Sequence, residues 1–470
     1  MAHYYEIEVE TSSGVTNAAA ATLVTLLSWQ SFQITYRRRA PGSITITIPQ
    51  DGTHHLSEFV SGRQLYVKRD GGYWWAGIIN AAYLPNGEKP GPIVLEGWNN
   101  AYTLLFSRNS CRLGFGGVEY AGFDADGVIT NVLDEAEHYS GTDWFPSAQR
   151  TIGAAAAGTL ARFLSTNQSP LELNTEMADI EGWSWRVGVN SSGVFTFKVG
   201  TSAVQDLTST VQVFTPYGPP DAPITHLSGH RRDGSRIVSD VLVVQRTPQI
   251  NTTLNGIHAA TATSITVQSN GTYRMEAGDI LVFSDGTPTL REEKVISTVN
   301  STTNVTITAG RTNTHPDKAT VRTVTDMRSR NTTVNGATAV EEQHHAQWVV
   351  IWNDKLDGTV RRTQIGEAYL AAYDHPLETA TLVTTDGILI DTWQDAGCEP
   401  GDSIKVTSSH PELSLIYDNT TVVVQEQTFT YSIKDGPTLT AQLGDPQLDQ
   451  LDELTRRTAG ANAAATSVGA

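Results

Sequence analysis

Two histidine doublets, His54-His55 and His344-His345, are the only adjacent imidazoles in the 470-residue chain. Neighbouring residues of a strand point to opposite faces, so a doublet is poor geometry for two ligands on one ion. We read both as solvated or interface histidines. Carboxylates concentrate at Asp134, Glu135 and Glu137, on one expected helix, where a solvated face is the simplest reading. Asp70, Asp126, Asp279, Asp357 and Asp402 each adjoin a glycine, a pattern that marks turns more often than acid–base chemistry. A glycosidase needs two carboxylates that can come from anywhere in a chain, and no pair is favoured here. Trp74-Trp75, Trp98, Trp183 and Trp185 could stack sugars. Each lies in or beside an alternating strand, which favours core and interface packing. Arg37-Arg38-Arg39 is the one basic run, and on an acidic chain it suits a neighbouring subunit better than nucleic acid. Cys111 and Cys398 stand in unrelated contexts, which predicts packed thiols rather than a disulfide scaffold or zinc site. HExxH, GxSxG, Walker A and dinucleotide-binding fingerprints are absent. No catalytic, cofactor-binding or metal-binding residue is therefore assigned, and the expectation is a protein that is not an enzyme and needs no cofactor.

Composition narrows the partners. Charged residues make up 17% of the chain, against a globular norm of about 25%. Fifty acidic residues face 32 basic ones, for a net charge of −18. Such a surface repels phosphates, which argues against a free-standing nucleic-acid binder and against docking on an anionic membrane. No apolar run approaches the roughly twenty residues of a membrane helix. The opening MAHYYEIEVETSSG lacks a basic stretch followed by an apolar core, so no secretory signal is expected.

The elements that must position these residues are mostly strands. Residues 3–10 and 43–49 alternate in period two, with Ile44, Ile46 and Ile48 on one face. Residues 64–80 read as a hairpin turning at Asp70-Gly71-Gly72, and 93–98 and 101–108 as further strands. This predicts an N-terminal antiparallel barrel or sandwich over 1–108. Residues 109–215 read as an α+β domain. Its expected helix is 126–138, with Asp126 as N-cap, and shorter helical pieces are expected at 151–164 and 171–181. A hairpin over 183–199 completes it. Residues 216–223 (PYGPPDAP) form a linker. A third domain is expected from 224–250 plus 324–380, with a helix at 365–375. The Thr-rich block 251–323 would be a small β-barrel inserted into it. A C-terminal β domain, 381–445, would hold strands at 387–391, 403–407, 421–432 and 437–443. The tail 446–470 spaces Leu448, Leu451 and Leu454 on one helical face. MEAGDILVF (275–283) and EPGDSIKV (399–406) share a Gly-Asp turn leading into a strand. The fold class is mainly β with a smaller α+β part.

Order of parts carries a family resemblance. ITITIPQDG (44–52), LYVKRDGGYWWAGII (65–79) and IVLEGWNNAYTLLFSR (93–108) are similar to the first barrel of baseplate hub, or tail-tip, proteins of long-tailed bacteriophages, which share the fold of the contractile-baseplate central hub. WSWRVGVNSSGVFTFKVG (183–200) resembles their second domain. CEPGDSIKVTSS (398–409) and VVVQEQTFTYSIKDGPTLTAQLGD (422–445) resemble their C-terminal part. The block 251–323 is similar to small β modules of phage tail and adaptor proteins, and is a departure from a minimal hub. The resemblance implies a structural virion protein with two tail-tube-like barrels per subunit, 1–108 and 224–250 plus 324–380. It further implies a homotrimer forming a pseudo-sixfold ring at the distal end of the tail, assembled in the bacterial host cytoplasm. Its partners would be itself, the distal tail protein ring, tip or fibre proteins and the tape measure protein, with DNA only in transit during genome ejection. An acidic channel that does not hold phosphates fits that role. A distal-tail adaptor ring and a carbohydrate- or receptor-binding tail protein are the alternatives.

Overall fold

The computed structural model describes residues 3–10, 23–50, 55–85, 91–99, 101, 118–120, 123–140, 145–153, 163–165, 169–181, 183–215, 225–233, 237–244, 250–268, 271–272, 275–284, 291–323, 331–335, 348–352, 359–373 and 377–444. Among them the fold is mainly β, organised around three hydrophobic cores.

The first core lies in a 13-stranded sheet. Its order runs Thr225–Asp233, Leu377–Thr384, Gly436–Gly444, Thr420–Ser432, Ser31–Arg37, Ala40–Ile48, Ile93–Asn99, Gly72–Tyr83, Gln64–Arg69, Tyr5–Glu10 and Leu23–Thr25. Strands Ser403–Ser408 and Gln212–Thr215 branch from Thr420–Ser432. Alternation fixes the register: Ile44, Ile46 and Ile48 are buried while Thr45 and Thr47 are half-buried on the other face. The expected hairpin turns at Asp70 and Gly71, both at positive φ (51° and 82°), the twist that two-residue hairpins need.

Strand pairing crosses the divisions read from the sequence at 108/109 and 380/381. Strand Ser31–Arg37 does not close a barrel within 1–108; its outer edge pairs with Thr420–Ser432, from Ser31 opposite Ser432 to Arg37 opposite Glu426. Strand Leu377–Thr384 spans the second division and joins Thr225–Asp233 to Gly436–Gly444. The partner half of the large sheet is therefore built from Gln212–Thr215, Thr225–Asp233 and 377–444, rather than from 224–250 plus 324–380. Local patterning carries no record of such long-range pairing.

The second core unites the α+β part with 237–244 and 348–373. Helices Ala125–Ser140, Pro170–Glu181 and Thr359–Tyr373 pack around Val128, Ile129, Met177, Ile365 and Tyr369, against strands Ser184–Val189, Phe195–Gly200 and Asp240–Val244. The reverse face of the large sheet joins here, with Tyr66 stacked 6.3 Å from Phe195. Two caps explain the helix starts. Asp124, not Asp126, caps the first, its Oδ1 accepting from the Gly127 amide at 3.3 Å. Ser169 and Glu172 form a reciprocal capping box on the second.

Two local expectations change. Residues 151–164 are not a helix where described: Arg150–Ile152 adds in parallel to Phe195–Gly200, and Phe163–Ser165 pairs with Val118–Tyr120. Residues 387–391 belong to a helix, Gly387–Asp395, rather than a strand. Asp386 caps it by accepting from Ile388 N (2.9 Å), and Ile390 and Trp393, three apart, are its buried residues. The strand 101–108 (beyond Ala101), the linker 216–223 and the tail 446–470 lie outside the described residues.

The inserted block forms a six-stranded sheet with its own core of Leu254, Ile265, Val267, Leu281, Phe283, Ile296, Val305 and Val321. A bridge between Leu254 and Val267 links its two end strands, closing it into a small barrel. Its host strand Asp240–Val244 pairs with Asn331–Asn335 on one side and Trp348–Trp352 on the other. Replacing 250–323 by a short Gly/Ser linker is expected to leave the remaining chain cooperatively folded, because both host pairings survive and loop length costs little. A urea melt lacking a cooperative transition would contradict this.

Candidate interaction surface

The residues singled out for chemistry are mostly structural. Trp75, Trp183 and Trp185 are buried and Trp74 and Trp98 half-buried, so they make no open sugar platform. The Arg run works inside the chain rather than toward a neighbour. Arg39 takes a positive φ of 54° and donates Nη2 to the Trp183 carbonyl; Arg38 Nε donates to Ser184 Oγ at 3.1 Å; Arg37 Nε meets Glu426 at 3.3 Å. The turn thereby clamps the large sheet to the hairpin of the second core, beside a cleft of about 450 Å³. Asp134 pairs with Arg150. His55 is exposed, while His54, His344, His345, Asp357, Cys111 and the side chains of Glu135 and Glu137 lie outside the described residues. Burial pushes the Cys398 thiol up, which makes it an inert packed thiol.

Asp279 and Asp402 turn out to be the same device. Each closes a Glu-x-Gly-Asp turn: Asp279 Oδ2 accepts from Glu276 N, and Asp402 Oδ2 from Glu399 N, both at 2.9 Å. Each turn has a glycine at positive φ, 97° at Gly278 and 102° at Gly401. Each Glu faces an arginine from another element, Arg362 for Glu276 and Arg186 for Glu399. Asp402 also pairs with Arg186.

An aromatic cluster fills one end of the large sheet. Phe32 lies 5.3 Å from Tyr5, 5.4 Å from Trp29 and 5.9 Å from both Phe429 and Tyr431. Burial pushes the Tyr5 phenol up to about 12, and its hydroxyl donates to Gln394 at 3.3 Å. Beyond this cluster, Trp29 and Tyr431 wall a cleft of about 420 Å³. Tyr4, Leu27 and Ile433 also line it, and they are 65%, 81% and 65% exposed. Three such residues around one cleft make the exposure informative in a way that scattered ones are not. Beside it, His3 lies 2.5 Å from Asp70 and 3.0 Å from Asp391. The Tyr4 amide, then the His3 ring, hold the Asp70 carboxyl below its usual range. Sequence reading missed this surface, because isolated apolar residues in turns carry no periodic signal.

No protein-family model matches the sequence, and no curated protein sequence does. Solved structures do match. A tail protein from Neisseria meningitidis MC58 aligns over 94% of this chain and 96% of its own, with a TM-score of 0.50 at 13% identity. The 43 kDa tail protein of prophage MuSo2 from Shewanella oneidensis aligns over 95% and 99%, with a TM-score of 0.52 at 9% identity. The chain has a tail-protein fold. That likeness extends over nearly the full length of both neighbours, so the large sheet, the α+β body and their connection all belong to the shared fold.

The inserted barrel within this tail-protein fold carries the clearest acid sensitivity. Burial alone would raise the Glu292 carboxyl, but the amides of Thr312 (2.7 Å) and Asn313 (3.2 Å) and the His315 ring (2.9 Å) more than offset it and hold it below its usual range. Burial, then Arg311, holds the His258 ring low. Both groups are depressed in the folded state, so both contribute stability above their ordinary values, about 6.5 for His and 4.3 for Glu. That stability is lost as pH falls through the folded values. Thermal unfolding of the full chain should show the barrel's transition moving down between pH 7 and 4; an unchanged or rising midpoint would contradict the assignment.

Proposed function

We propose that the chain is a structural virion protein, the trimeric hub at the distal end of a phage tail. It would close or extend the tail tube, anchor tip or fibre proteins and line part of the DNA ejection channel. The observation that carries this reading is the end-to-end fold likeness to two tail proteins. The net charge of −18 supports a channel that lets DNA slide. No group of three or more potential metal ligands occurs among the described residues, which suits a protein working by packing rather than catalysis. In this reading the large sheet supplies the two tube-like halves, and the inserted barrel is an appended module for contacts with outer tail or tip proteins. The burial of Trp75, Trp183 and Trp185 removes the main support for a carbohydrate-binding alternative.

Antibody labelling of intact phage tails in electron micrographs tests the location. Label confined to the distal tip is expected; label along the tube or at the head-proximal end would overturn the proposal.

A further inference from the structure

We propose that the cleft bounded by Tyr4, Leu27, Trp29, Tyr431 and Ile433 receives the Leu448-Leu451-Leu454 stripe of another copy of this chain, an inference that rests on the multi-copy reading above. The cleft pairs a rigid aromatic wall with three exposed apolar residues, the composition of a groove that takes a narrow apolar helix face. Its volume of about 420 Å³ lies in the range of specific binding pockets. The chain itself supplies such a face. Twenty-six residues follow the last strand, Gly436–Gly444. Their only leucines fall at 448, 451 and 454, one stripe of a three-turn helix that is marginal unless it docks.

Reach decides which copy donates the stripe. Ile433 sits in the turn between Ser432 and Gly436, at the cleft, whereas Gly444 pairs with Val423 at the far end of the hairpin. From Gly436 to Gly444 the strand runs roughly 26 Å. Four extended residues bring Leu448 back by no more than about 14 Å, and the helical step from Leu448 to Leu454 adds only about 9 Å. A chain's own stripe therefore leaves Leu448 about 12 Å short of its own cleft. A neighbour's stripe has no such limit.

The test uses the full-length chain carrying Ile433→Cys and Leu451→Cys, oxidised mildly and separated without reductant. Both substitutions lie outside the buried cores, and Cys398 is buried. Covalently linked multichain species are expected in the double variant and not in either single variant. Adding Leu27→Asp should reduce them by about tenfold. A link closed within one chain, no link at all, or a yield indifferent to Leu27→Asp would overturn the proposal. The native mass of the unoxidised chain is read in parallel. A trimer without the link defeats the docking alone, and a monomeric mass defeats the multi-copy reading beneath it.

Discussion

Substituting Asp402 by alanine is expected to destabilise the chain by roughly 3–5 kcal/mol, the cost of breaking a buried ion pair from one side. Asp402 is fully buried. It pairs with Arg186 and accepts from the amides of Gln205 (2.6 Å) and Glu399 (2.9 Å). Three separate segments meet on this one carboxylate: the Glu399–Asp402 turn, the hairpin strand Ser184–Val189 and the stretch leading to Gln212–Thr215. Alanine leaves a largely buried guanidinium and two amides without their acceptor, and such orphaned groups lose their full solvation. Asparagine keeps an acceptor but not the charge, so its cost should fall between alanine and wild type. Urea melts give the comparison through the midpoint, with the slope unchanged. An alanine variant within about 0.5 kcal/mol of wild type, the range of ordinary surface changes, would refute the role.

Phe32→Ala should cost about 3–5 kcal/mol, as expected for emptying a buried aromatic site. Phe32 is 1% exposed and touches rings from both ends of the chain: Tyr5, Trp29 and Trp74 on one side, Phe429 and Tyr431 on the other. The two halves of the large sheet should therefore lose stability together, in a single transition. The same packing predicts that a fragment of residues 1–108 does not fold alone, since Ser31–Arg37 would lose the partner strand Thr420–Ser432. A cooperative melt from that fragment would show that the N-terminal strands form a self-sufficient barrel after all.

The alternation of Ile44, Ile46 and Ile48, the Asp70-Gly71 turn and the 183–199 hairpin were legible because period-two patterning and turn chemistry are local. The inserted barrel was legible for the same reason, its strands being short and closely punctuated. What pairs with Ser31–Arg37 was not, because the answer lies nearly four hundred residues away. Helix Gly387–Asp395 was misread from its run of Ile and Leu. The deciding signals were the Asp386 cap and the i, i+3 pair Ile390 and Trp393. For the surface, Arg37-Arg38-Arg39 looked like a docking run. Only the fold shows that Arg38 and Arg39 meet the edge of the neighbouring hairpin. Tyr4, Leu27 and Ile433 are scattered in sequence and become one surface only when three turns converge at the same end of the sheet.

Native mass spectrometry of the purified assembly bears most directly on the hub reading. Three times the 50.8 kDa chain mass is the expected result, with threefold symmetry in class averages of the same particles. A stable sixfold ring would point instead to an adaptor of the tube, and a chain that stays monomeric in the assembled tail would contradict the hub outright.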